Sequence, residues 1–237
     1  MLSSNFMFSE LLNSFSLEIL FTFFILSNIV FAITLSSDSQ LSYPSLLNVL
    51  CYFSIFFFIS SLIFILPYNF VVDFNDFTIY NLMKTDFLSA SIKGFLITFT
   101  ILLYMFNVDF CKNRLFQFEY ELLISLSVLG LLTLLISNDF LTMYIAIELL
   151  SLSFYVLAGS YKNSIYSAEA GLKYFVLGAL SSCFLLFGIN FIYMIYGTLN
   201  FNEIKLLVND NDFLCLLGLL FLFSGFFFKV GVSPFHM

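Results

Sequence analysis

The sequence predicts an all-α fold: a polytopic bundle of about seven transmembrane helices, with the seventh helix broken near its end. Three observations lead there. Hydrophobic residues make up 61% of the 237 and charged residues only 10%, and a mean hydropathy of +1.04 does not suit a soluble domain. Apolar stretches close to the ~20 residues that cross hydrocarbon as a helix recur along the whole chain. Pro234 lacks a backbone donor and turns Ser233 away from helical angles, which breaks the last stretch close after Lys229.

The stretches cover residues 17–35, 46–66, 87–106, 120–136, 140–158, 170–196 and 213–235. They divide into three N-terminal helices within residues 1–117 and helices four to seven within 118–237. No connecting segment is long enough to bury a core of its own, and the longest, 67–86, is polar and acidic. Residues 1–16 carry Glu10 and no basic residue. That fits neither a secretory signal nor an Arg-rich transit peptide, so insertion at the site of synthesis is expected. Basic residues in alternate loops (Lys112, Arg114 and Lys162 against Lys84 and Lys205) slightly favour an outside N-terminus.

Charges in the first four helices read as peripheral. Glu18, Glu119 and Glu121 stand at helix edges. Lys93 lies a turn or two from Asp86, near enough for its long side chain to snorkel to the headgroups. Asp139, following Asn138 at the start of the fifth helix, suits a cap at the positive end of the helix dipole.

The later helices carry charge at depth. Glu148 lies near the middle of the fifth helix, too far from either end for a carboxylate to reach the interface, and helical spacing puts Tyr144, Ser151 and Tyr155 on its face. In the sixth helix Lys173 follows Glu169 by one turn, near enough to the helix end that it could equally snorkel to the headgroups. Gly178, Ala179, Ser181 and Ser182 permit close helix packing. Lys229 sits deep in the seventh apolar run, flanked by Gly225 and Gly231. Ionisable groups in hydrocarbon are costly and mark routes for protons, ions or substrate. A nearby carboxylate favours the charged lysine and desolvation favours the neutral one, so moving the carboxylate switches the lysine between holding and releasing a proton.

Other chemistries find little support. The formal charge of −7 is spread thinly through loops, which argues against nucleic acid or anionic lipid as a specific ligand. Cys51, Cys111, Cys183 and Cys215 stand alone, as expected of packing residues rather than of a metal or redox pair. His236 is the one histidine, too few for haem or copper held between helices. With 36 Phe, 13 Tyr and no Trp, the composition resembles translation from an AT-rich, organellar genome.

Three segments, NDFLTMYIAIELLSLSFYVLAGS (138–160), SAEAGLKYFVLGALSSCFLLFGINFIYMIYGTLNF (167–201) and LLGLLFLFSGFFFKVGVSPFHM (216–237), resemble the subunit 2 family of NADH:ubiquinone oxidoreductase, respiratory complex I. The resemblance covers about the C-terminal half of the chain. It implies the first half of an antiporter-like inverted-repeat fold, in a non-redox subunit of an H⁺-translocating NADH:ubiquinone reductase. Proton transfer would fall to Glu148, Lys173 and Lys229. His236, Tyr144 and Ser151 would contribute to a hydrophilic axis, with the helix broken at Pro234. No cofactor would bind this chain; NADH, FMN, iron–sulfur clusters and ubiquinone would sit in other subunits. The implied partners are other membrane-arm subunits, the lipid bilayer, and a separate chain from a split gene supplying the C-terminal half. The expected location is the mitochondrial inner membrane, or alternatively a bacterial plasma membrane. Two other readings stand beside it: a subunit of a multi-subunit cation/proton antiporter, and a non-transporting membrane scaffold.

Overall fold

The computed structural model describes residues 16–36, 43–71, 77–79, 82–111, 119–161, 164–207 and 213–233. In chain order the elements are α1 (Ser16–Ser36), α2 (Tyr43–Val71), β1 (Phe77–Ile79), β2 (Met83–Thr85), α3 (Phe87–Cys111), α4 (Glu119–Ile136), α5 (Phe140–Ala158), α6 (Ile165–Tyr196), α7 (Phe201–Leu207) and α8 (Phe213–Val230). Each predicted apolar stretch is a helix. Among the described residues, six helices are long and apolar enough to cross a membrane, and α2 adds the apolar run Val49–Ile63. With 32 residues, α6 is about 48 Å long, more than the hydrocarbon core requires.

Four features depart from the sequence reading. α2 continues through Pro67 to Val71, so the segment expected to be a loop from residue 67 begins as helix. Phe77–Ile79 and Met83–Thr85 pair as a two-stranded sheet, and the short helix α7 follows α6. α8 ends at Val230, earlier than the apolar run suggests, because Gly231 turns into the left-handed region at φ 72°. Val232 N–H donates to the Phe227 carbonyl (3.0 Å) and Gly231 N–H to that of Phe228 (3.2 Å), the paired bonds of a Schellman cap. The helix does end beside Lys229, but the stop in view is Gly231; Pro234 and His236 lie outside the described residues.

The chain forms two compact units, residues 1–79 with 84–136 and residues 80–83 with 137–237. α4 therefore falls in the same unit as the N-terminal helices. In the first unit α1 packs on α2 and α4, α2 on α3, and α3 on α4, a closed ring of four helices. Phe21, Phe58, Ile97, Tyr104 and Leu132 are wholly buried in it. The aromatic rings interlock: Phe24 stacks on Phe57 at 3.8 Å, Phe21 meets Phe58 at 5.3 Å, and Phe58 meets Tyr104 at 5.2 Å. Part of the phenylalanine content is thus core and not lipid-facing filler, while Phe23, Phe56, Phe95 and Phe106 remain exposed.

In the second unit α6 packs along α8, and α5 packs on α6. Glycine permits both approaches. A Cβ on Gly188 would lie 2.7 Å from the Gly218 carbonyl oxygen, and one on Gly225 only 2.6 Å from Leu185 Cγ. The small-residue stretch of the sixth helix is used as predicted, with Gly178 and Ser181 buried. Backbone bonds tie the loops together: Asn138 N–H to Leu82 O (2.9 Å), Phe140 N–H to Leu199 O (3.1 Å) and Phe201 N–H to Asn138 O (3.1 Å).

Candidate functional site

The second unit brings Glu148 and Lys229 together. Glu148 projects from the ninth position of α5, and Lys229 from the last turn of α8. Lys229 Nζ donates to Glu148 Oε1 at 2.9 Å and more weakly to Ser151 Oγ at 3.4 Å. Ser151 in turn donates to the Glu148 backbone carbonyl at 3.1 Å. The two charged side chains are 23% and 17% exposed within this chain, so the pair is shielded without being sealed. Its position at the C-terminal end of α8 adds the helix dipole, whose negative end favours a cation there.

Around this pair lies the polar face anticipated for α5. Ser151 and Tyr155 are buried. Tyr155 interacts with Ser151, and Tyr144 with Ser182 of α6. The Tyr155 ring meets Tyr174 edge-on at 4.7 Å. Gly178 makes room for it, since a Cβ there would lie 1.9 Å from the Tyr155 hydroxyl. The elements that position Glu148 and Lys229 are thus held by hydroxyls and by glycine packing rather than by further charges.

Lys173 is elsewhere. It pairs with Glu169 one turn before it on α6, at 2.5 Å, and both side chains are largely exposed in this chain (68% and 54%). Of the predicted residues, then, Glu148, Lys229, Ser151 and Tyr144 converge, Lys173 faces away from them with its own partner, and His236 and Pro234 fall outside the described residues. Asp139 occupies the N-cap position of α5, but its side chain makes no cap bond, and its Oδ1 is buried without a hydrogen-bond partner among the described residues. Its capping role is positional only.

The first unit overturns the peripheral reading of Glu18, Lys93 and Glu121, while Glu119 is exposed as expected. Lys93 does not snorkel: its ammonium lies 2.5 Å from Glu18 Oε1, with the side chains 7% and 9% exposed. Neither Glu18 oxygen has a well-directed hydrogen bond, so the contact is ionic. Glu121 is also buried, at 6% exposure, and its Oε1 accepts from the Cys51 thiol, which is therefore more than packing. Tyr104 donates to the Glu121 carbonyl at 3.1 Å. Distance from a helix end along the sequence could not show that these side chains turn inward. The one available signal was the period of small polar residues on the same helices, such as Ser54 and Ser61 or Ser125, all buried.

Among the described residues no three His, Cys, Asp or Glu side chains gather in a way that could hold a metal ion. The site gathers a carboxylate, an ammonium and hydroxyls from α5, α6 and α8.

Comparison with known proteins follows the same half of the chain. Residues 137–237 match the family model described as NADH:quinone oxidoreductase/Mrp antiporter, TM. NADH-quinone oxidoreductase subunit N of Pelagibacter ubique is 44% identical over 124 residues, which is 52% of this chain and 26% of that protein. NADH-ubiquinone oxidoreductase chain 2 of Marchantia polymorpha is 39% identical over 168 residues, 67% of this chain and 34% of that one. Among solved structures, a chain of respiratory complex I from Thermus thermophilus superposes with a TM-score of 0.63 at 24% identity, covering 90% of this chain and 45% of its own length. A chain of an archaeal membrane-bound sulfane sulfur reductase superposes at 0.67 with 19% identity, again over 45% of its length. These superpositions show a shared fold. The chain spans a quarter to a third of the curated relatives it matches.

Proposed function

We propose, from the fact that residues 137–237 belong to the membrane family shared by NADH:quinone oxidoreductase and the Mrp antiporters, that this chain is part of a membrane-arm subunit of a proton-pumping NADH:quinone oxidoreductase. The observation that carries the reading is the contact of Glu148 with Lys229 at the end of α8. While the carboxylate is in place, the ammonium keeps its proton. When the carboxylate moves away, Lys229 loses its counter-charge and gives up its proton more readily. Lys173, also within the matched segment, is a further proton-bearing group in this reading, paired with Glu169 on its own helix. His236 and Tyr144 extend the hydrophilic axis.

In this reading the chain is a non-redox subunit. NADH, FMN, iron–sulfur clusters and ubiquinone bind to other subunits, which are its partners in the membrane arm. The AT-rich character of the composition supports a mitochondrial inner membrane; relatives from bacteria keep a bacterial plasma membrane as the alternative. A Mrp-type antiporter subunit is the second reading, because the family model covers both; the names of the curated relatives favour the first.

A native gel of gently solubilised membranes, with mass spectrometry locating the chain, tests the assignment. Co-migration with a very large complex that reduces a dye with NADH is expected. Migration in a smaller assembly without that activity contradicts it. The same band reports whether the remaining length of the relatives accompanies the chain as a separate polypeptide.

A further inference from the structure

The first unit buries ionisable groups that transfer through Glu148 and Lys229 does not use. Its helices close in the ring α1, α2, α3, α4, so any contact between α1 and α3, or between α2 and α4, crosses the interior. Ionisable groups cross both diagonals. Glu18 of α1 meets Lys93 of α3, and the Cys51 thiol of α2 donates to Glu121 of α4.

These two sites lie toward opposite ends of the bundle. Successive membrane-crossing helices alternate in direction, so the early turns of α1 and α3, which hold Glu18 and Lys93, share one end. The early turns of α2 and α4, which hold Cys51 and Glu121, share the other. Three wholly buried rings stand between them in sequence of contact. Phe21, one turn beyond Glu18, meets Phe58, and Phe58 meets Tyr104, whose hydroxyl reaches the Glu121 carbonyl. Alongside are the buried hydroxyls of Ser54, Thr100 and Ser125 and the amide of Asn28, whose Oδ1 has no partner among the described residues.

The sites differ in how their charge is met. Glu18 has its cation. No cation among the described residues stands within ion-pair distance of Glu121, which has a thiol at its carboxyl. A buried carboxyl with no cation beside it among the described residues is by default a candidate for proton exchange.

We propose that the first unit holds a second proton-transfer site, with Glu121 taking up and releasing a proton on one side of the Phe21, Phe58, Tyr104 septum and the Glu18–Lys93 pair acting on the other. At Glu121 one proton passes from water to the carboxylate and back to water. At the pair one proton moves from the Lys93 ammonium to the Glu18 carboxylate, leaving amine and acid, and returns.

The inference rests on the chain's place in a proton-translocating complex, and its test separates the two. In the purified native assembly, infrared spectroscopy is expected to show a protonated carboxyl C=O band that shifts in deuterated water and is lost in Glu121→Gln. In membrane vesicles the assembled Glu121→Gln complex is expected to keep its NADH-to-dye activity and to move fewer protons per NADH oxidised, with Glu121→Asp restoring much of the ratio. A wild-type ratio in assembled Glu121→Gln, or a native spectrum without such a band, overturns the site. Should Glu121→Gln not assemble, the native spectrum and Glu121→Asp still decide. If the chain proves to sit in an assembly that does not oxidise NADH, the functional assignment fails while the infrared band still reports on Glu121.

Discussion

Among the described residues, a Lys–Glu ion pair joins two helices in each unit of this chain, and the two pairs are built differently. Glu18 and Lys93 are almost sealed within the chain, and they join diagonal helices of a ring whose interior also holds buried aromatic rings. Glu148 and Lys229 are partly open, share Ser151, and sit where a helix ends in a Schellman cap. A sealed pair has no water to stabilise a lone charge, so each member depends on the other. A partly open pair at a helix end has other stabilisers, and one member can leave. Burial therefore sets how each pair can work: the sealed pair can only pass a proton within itself, whereas the members of the open pair can separate.

The largest effect on stability is expected in the first unit. Replacing Lys93 with Met strands the Glu18 carboxylate and should cost about 3–5 kcal/mol, whereas Glu18→Met with Lys93→Met together should be close to neutral. Thermal denaturation of the detergent-solubilised assembly checks both. Equal losses in the single and double variants would show that the pair is not sealed. Next, Lys229→Met should cost only about 1–3 kcal/mol, the value of a hydrogen bond to a charged group, while greatly reducing proton translocation. A stability loss as large as that of Lys93→Met would erase the contrast.

Packing changes follow. Gly188→Ala and Gly225→Ala force apart α6 and α8, where the added carbon would sit at 2.7 and 2.6 Å from its neighbours, and should each cost about 1–3 kcal/mol. Because they disturb the element that carries Lys229, a matching fall in translocation is expected. Gly231→Ala places a side chain at φ 72°, costs about 1 kcal/mol, and should loosen the helix end at Lys229. Smallest is Lys173→Met, whose exposed partner on the same helix predicts no measurable change in melting temperature, read by the same denaturation assay.

Legibility in the sequence followed the same contrast. Glu148 and Lys229 could be found because each lies deep in an apolar run, with a polar stripe on one and a helix breaker beside the other. Lys93 and Glu121 lie near helix ends, where the sequence allows a charged side chain to go either way. Only the ring closure of four helices, a fact of tertiary packing, turns them inward. The long helices were visible from hydropathy, but the end of α8 was set by Gly231, an unobtrusive residue, ahead of the more conspicuous Pro234. The short α7 did carry a signal, Asn200 followed three residues later by Glu203, an N-cap arrangement in which Asn200 accepts from the Asn202 N–H at 2.9 Å. It was hidden by the apolar run before it. The two short strands leave no such trace, being three residues each.

The most direct test is the number of protons moved per NADH oxidised in vesicles containing the assembled complex with Glu148→Gln. This change keeps the shape of the side chain and removes the charge that holds the Lys229 proton. The account predicts a marked fall in that ratio with assembly and NADH-to-dye activity retained. An unchanged ratio in a fully assembled complex would contradict it, leaving Glu148 and Lys229 as a structural contact in a membrane scaffold.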